Sequence, residues 1–267
     1  MTAVNPTRLR FQMQGVMAFF GSPVEFHQKL RGLFSLYANY ALRFGDDARP
    51  INRPLIPTFN LPHPVMRQLR LDLKPHIEAD PQAALEIVDQ LWEDDYYEIK
   101  HTAIWIIGAI HIEDPQPYLD RVQLWLTPGL DYVLKTELLS IGTRSLQEKF
   151  PAAWEALILS LLSKSEPEMI ALGIQALAEG AKSPDFKNLP AIFRLASPFI
   201  RDPHSAYTRD LEDLIEALAQ LSPRETGYFL KQILSVSVAR ETLRLIKNCL
   251  SAFPEEVRED LKSTLSK

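Results

Sequence analysis

The chain has 267 residues, 46% apolar and 24% charged, an ordinary globular balance and long enough for one elongated repeat domain or two compact ones. No apolar run approaches the roughly 20 residues that span a bilayer, residues 1–8 lack a signal-peptide pattern, and the single cysteine, Cys249, excludes an internal disulfide and fits a reducing, cytoplasmic setting. The net charge of −5 argues against a heavily nucleic-acid-coated protein, but residues 1–76 carry ten Lys/Arg against four Asp/Glu while the remainder is strongly acidic. That asymmetry fits one end docking on a polyanion, or equally a chance segregation of solvated charge.

The first 62 residues hold a long apolar and aromatic helical stretch (Phe11, Phe19, Phe20, Phe26, Leu33, Phe34, Tyr37, Tyr40) followed by the loop 45–62. They read as an N-terminal helical cap and an ordered crossing, because the loop's prolines and apolar residues disfavour a plain linker. From residue 63 onward the prolines punctuate helix-periodic stretches, as expected where a missing N–H costs nothing. Met66, Leu69, Leu73 and Ile77 follow spacings of 3, 4 and 4; Ile99, Ala103, Ile106 and Ile110 repeat the pattern. The spacing predicts an all-α chain.

Five segments align as the second helix of a recurring pair: 96–110, 132–146, 167–181, 207–221 and 238–252. Each follows a shorter helix (81–92, 115–126, 151–164, 185–200 and 223–236). A helix pair of about 30–45 residues cannot bury its apolar face alone, so stacking of neighbours is expected. The expected architecture is a right-handed α-solenoid of HEAT-like antiparallel pairs over 63–267, capped by 1–62.

Two stretches carry a resemblance. Residues 57–77 (PTFNLPHPVMRQLRLDLKPHI) and 90–107 (QLWEDDYYEIKHTAIWII) resemble consecutive motifs of the HEAT-like alkylpurine DNA glycosylases, the AlkD-like DNA alkylation repair family. The resemblance implies a groove for double-stranded DNA lined by second helices, and excision of cationic N-alkylated purines without metal or cofactor. The family's Trp and Asp, four residues apart, would fall on Leu130 and Leu134, its Arg near Ala171 and its later Trp near Ile215. All four are replaced. Base excision builds positive charge on the sugar, which a nearby carboxylate stabilises and leucine does not. Asp131 and Glu137 are the nearest carboxylates and the candidate substitutes.

Candidate nucleic-acid contacts come from helical spacing. Arg67, Arg70 and Lys74 make a basic stripe suited to phosphates, or a solvated face. Tyr97, His101 and Trp105, four apart, make a stripe able to stack on bases, or to pack between helices. Lys135 lies on the following second helix, and Arg240 and Arg244, with Lys247, form a second basic ridge. No His/Cys/Asp/Glu set has zinc-like spacing, and no phosphate-binding glycine motif occurs, so neither metal nor nucleotide cofactor is expected. Cys249 sits among Leu245, Ile246 and Leu250 as an expected core residue. Three functions stay open: a divergent, non-catalytic member binding DNA or another macromolecule, an active glycosylase with a relocated carboxylate, and a protein-interaction scaffold.

Overall fold

The structure is a computed structural model, and it describes residues 4–39, 54–111, 113–127, 129–182, 188–236 and 239–265. The described residues are helical, without a strand. They form two compact units, Met1–Leu146 and Gln147–Lys267. None of the described helices is long and apolar enough to cross a membrane.

The first unit contains α1 (Pro6–Met17), α2 (Pro23–Tyr37), α3 (His63–Ala79), α4 (Pro81–Trp92), α5 (Tyr97–Ala109), α6 (Gln116–Trp125) and α7 (Tyr132–Glu137), then a π-helical turn (Leu138–Gly142) and the start of α8 (Arg144–Lys149), which runs past the end of the unit. Local chemistry sets the starts. Asn5 and Asp80 accept from backbone N–H groups in the first turns of α1 and α4, and proline opens α1, α2 and α4. Helices two apart in sequence pack together: α1 on α3, α3 on α5, α5 on α7, and α2 on α4. Within the segment 1–62, expected as an N-terminal cap, α1 and α2 follow this same alternation. Met13, Phe26, Phe34, Phe59, Leu69, Leu73 and Ile87 are fully buried in this unit. Phe11, grouped with them by sequence, is 76% exposed.

The second unit contains α9 (Pro151–Leu162), α10 (Pro167–Lys182), α11 (Leu189–Arg201), α12 (Thr208–Leu221), α13 (Pro223–Ser235), α14 (Arg240–Cys249) and α15 (Glu255–Leu265). Here α10 packs on α12 and α12 on α14, while α11 packs on α13 and α13 on α15. Trp154, Ile158, Leu177, Leu214, Leu218, Leu230 and Ile246 lie in its core. Cys249 is fully buried, and burial pushes its thiol up to about 12, so it is an inert core residue.

One element differs from expectation. Residues 132–146 do not form one helix: α7 gives way to the π-helical turn, and α8 continues to Lys149. Hydroxyl side chains compete for the backbone here. Ser140 Oγ donates to the Thr136 carbonyl (2.8 Å) and Thr143 Oγ1 to the Leu139 carbonyl (2.6 Å). At the same place α5 comes very close: a Cβ on Gly108 would lie 2.1 Å from the Ile141 carbonyl oxygen. Ser145 Oγ ties the turn back to α5 by donating to the Gly108 (2.9 Å) and Ile110 (3.0 Å) carbonyls.

Tyr40 and residues 45–53 of the expected crossing loop lie outside the described residues. The rest of that loop is held by backbone ties. Leu55 N–H donates to Asp131 Oδ2 (2.7 Å), Tyr97 N–H to the Pro57 carbonyl (2.9 Å) and Phe59 N–H to Glu98 Oε2 (2.9 Å). The Phe59 ring is buried between Phe34 and a stacked Tyr96.

Candidate functional site

α3 opens on His63-Pro64 and turns one face inward through Val65, Leu69, Leu73 and Ile77. The neighbouring face carries Arg67, Arg70 and Lys74, so helical spacing alone lines up three cations. α5 starts where Asp94 accepts from Tyr96 N–H (2.8 Å), and its residues 97, 101 and 105 recur every four positions. Packing of α3 on α5 brings the two stripes to one cavity of about 1210 Å³. All six side chains line it, together with Tyr37, Asn39, Asn60, His63 and Glu98.

The cavity wall has an ordered polar chain. Arg70 Nη2 donates to His101 Nε2 at 2.6 Å, and His101 Nδ1 meets Glu137 Oε2 at 2.7 Å. Arginine has no acceptor, so His101 Nε2 must accept and Nδ1 must carry the proton given to Glu137. Tyr97 Oη donates to the other Glu137 oxygen at 2.6 Å. Burial, and then the Glu137 charge, push the Tyr97 phenol well above its ordinary value, so it is a fixed donor. The chain Glu137–His101–Arg70 anchors one edge of a guanidinium whose Nε is buried without a hydrogen-bond partner.

The other cations are looser. Arg67 is exposed and has no partner among the described residues, while Lys74 makes only an exposed 3.9 Å pair with Glu78. Trp105 is half-buried against the cavity, with no ring neighbour or hydrogen-bond partner among the described residues. Trp92, by contrast, stacks on Trp125 (4.2 Å between centroids) and lies under Lys100 Nζ (4.7 Å). Of the α5 stripe, Tyr97 and His101 have their polar atoms committed to packing contacts, and the Trp105 face is uncommitted.

Both candidate carboxylates are occupied. Asp131 Oδ1 caps α7 by accepting from Val133 and Leu134 N–H, and its Oδ2 accepts from Leu55 N–H. Glu137 has each oxygen bound, one by Tyr97 and one by His101. Leu134 and Ile215, the positions where the resemblance would place the family's Asp and later Trp, are buried core residues. Lys135 sits on α7 and does not line the cavity. Arg240 and Arg244 belong to the second unit, where they line a separate exposed concavity with Lys247 and Asn248. Among the described residues, no three His, Cys, Asp or Glu side chains are grouped to hold a metal ion.

Sequence reasoning missed Asn60, Glu98, Tyr37 and His63. Asn60 takes a left-handed backbone (φ 52°), a conformation asparagine tolerates better than most residues, and the Asn-Leu-Pro turn was the available signal. Glu98 is an acid in the first turn of α5, a favourable place for negative charge. It is almost fully buried, where Phe59 N–H satisfies it.

No protein-family model and no curated protein matches the chain. Among solved structures it is similar to an engineered protein from the Northeast Structural Genomics Consortium, at 13% identity over 98% of this chain and 69% of that one. The TM-score is 0.33, too low to carry an argument about fold or function.

Proposed function

We propose that the chain is a divergent, DNA-alkylation-repair-like helical-repeat protein that binds DNA through the α3–α5 cavity without glycosylase chemistry. The HEAT-like, right-handed solenoid is part of this proposal, and the alternate-helix packing inside each unit supports it. One observation carries the binding reading: two stripes from separate stretches, three cations and three aromatic rings, line a single cavity. Cations supply phosphate affinity, and an aromatic face suits a base or sugar.

Loss of chemistry rests on the carboxylates. A group that stabilises a developing sugar cation must be free to face it. Asp131 and Glu137 both spend their oxygens on the protein itself. An active enzyme using either one is therefore the less supported reading. The test pairs binding with base release. A methylated duplex incubated with the protein should release no free base, while a labelled duplex should bind and lose affinity in Arg67→Ala/Lys74→Ala. Base release abolished by Glu137→Gln would overturn the non-catalytic part. Unchanged affinity in the double variant would overturn the assignment of the cavity.

A further inference from the structure

The cavity is too small to enclose a whole duplex, whose backbone would meet its exposed cations, Arg67 and Lys74, from outside, and it is lined for something narrower. Its volume of about 1210 Å³ compares with roughly 300–1,000 Å³ for pockets that hold drug-sized ligands, which leaves room for one or two nucleotides. The aromatic side of the cavity also has a geometric requirement. Within a duplex both faces of each base are covered by neighbouring bases, so a ring can stack on a base only where it is unpaired and splayed out. Trp105 is the ring of the α5 stripe with an unused face, and it lines the same cavity as Arg67, Arg70 and Lys74.

Building on the nucleic-acid reading above, we propose that the α3–α5 cavity takes an unpaired nucleotide, its base against Trp105 and its phosphate at the Arg67–Arg70–Lys74 stripe. Arg70 is the fixed part of that phosphate site. The His101 contact orients its guanidinium, and the buried, unpartnered Nε belongs to the same group. Arg67 and Lys74, both exposed, supply charge without fixed geometry. Glu98 also lines the cavity, with Oε2 accepting from the Phe59 amide, so the wall sets one carboxylate beside three cations. The same chemistry would accept a free nucleoside monophosphate, so the source must be separated by experiment.

The full-length chain would be titrated with three labelled probes: a blunt hairpin duplex, the same hairpin with a single-stranded overhang, and an oligothymidylate. Adenosine monophosphate would be titrated separately, with tryptophan fluorescence as the readout. The overhang and the single strand should bind about fivefold or more tighter than the blunt hairpin, the range one base-stacking contact produces. Trp105→Leu should erase that preference, and Trp105→Phe should keep part of it while losing the fluorescence change. If Trp105→Leu does not fold, as read by its circular dichroism, the exposed Arg67→Ala supplies the decision through selective loss of single-strand affinity. Equal binding of blunt and overhang hairpins, unaffected by Trp105→Leu but weakened alike by Arg67→Ala, would overturn this inference and leave the DNA-binding reading standing. Fluorescence quenching by adenosine monophosphate without binding of any DNA would support the nucleotide site and sink the nucleic-acid reading. No response to any probe would overturn both.

Discussion

Asp94 ties α2 to the start of α5 through one side chain with no solvent exposure. It meets His27 Nε2 at 2.6 Å, also binds Arg31, and accepts from Tyr96 N–H at 2.8 Å. Burial opposes its charge, yet the Tyr96 amide, His27 and Arg31 more than offset it and hold the carboxyl below the ordinary aspartate value of 3.8. A depressed carboxylate contributes stability that is present above its unfolded value and is lost as pH falls through the folded one. Thermal melts should therefore weaken below about pH 4, and Asp94→Asn should flatten that decline. At neutral pH the same variant should cost about 1–3 kcal/mol, the worth of hydrogen bonds to a charged group. An unaltered acid profile would show that other carboxylates govern it. Tyr118 gives the opposite case, since its hydroxyl is buried without a hydrogen-bond partner. Tyr118→Phe should be neutral or stabilising by about 1 kcal/mol, as a shift in the denaturation midpoint, because it removes an uncompensated polar group.

At the scale of elements, the π-helical turn sets where Glu137 lies. It follows α7 directly, and α5 approaches it only because residue 108 has no side chain. A methyl group at Gly108 would sit 2.1 Å from backbone oxygen, which cannot rotate away. Gly108→Ala should therefore destabilise the first unit by about 1–3 kcal/mol, the usual cost of overpacking. It should also loosen the Glu137–His101–Arg70 chain, measurable as faster hydrogen exchange in α5. Exchange and stability equal to the parent would refute the close approach. Asp131 acts at this scale as well: Asp131→Ala removes the α7 cap and the tie to Leu55, and should cost about 1–2 kcal/mol.

The same elements explain how much could be read from sequence. The cationic stripe on α3 and the aromatic stripe on α5 were legible because each is a repeat of three and four residues within one helix. Their meeting in one cavity was not, since it depends on packing between helices some 30 residues apart. Glu137 stands out in the sequence as a stand-in carboxylate, but its bonds reach back 36 and 40 residues, beyond any local pattern. The break at 138–142 was hidden for another reason: its apolar spacing is helical, and only hydroxyl-to-carbonyl bonds and the approach of α5 divert the backbone.

For the whole molecule, charge decides. The net of −5 disfavours polyanions in general, so the proposed DNA binding has to be local, and the basic first 76 residues are where the proposal places it. That makes salt dependence the most direct measurement of the central claim. Fluorescence anisotropy of a duplex with an unpaired overhang, titrated at several salt concentrations between about 50 and 200 mM, reads the number of phosphates neutralised. Three contacts from Arg67, Arg70 and Lys74 predict a log–log slope of roughly −2 to −3 and a slope nearer −1 in Arg67→Ala/Lys74→Ala. No binding at the lowest salt, or a slope unmoved by the double variant, would contradict the account.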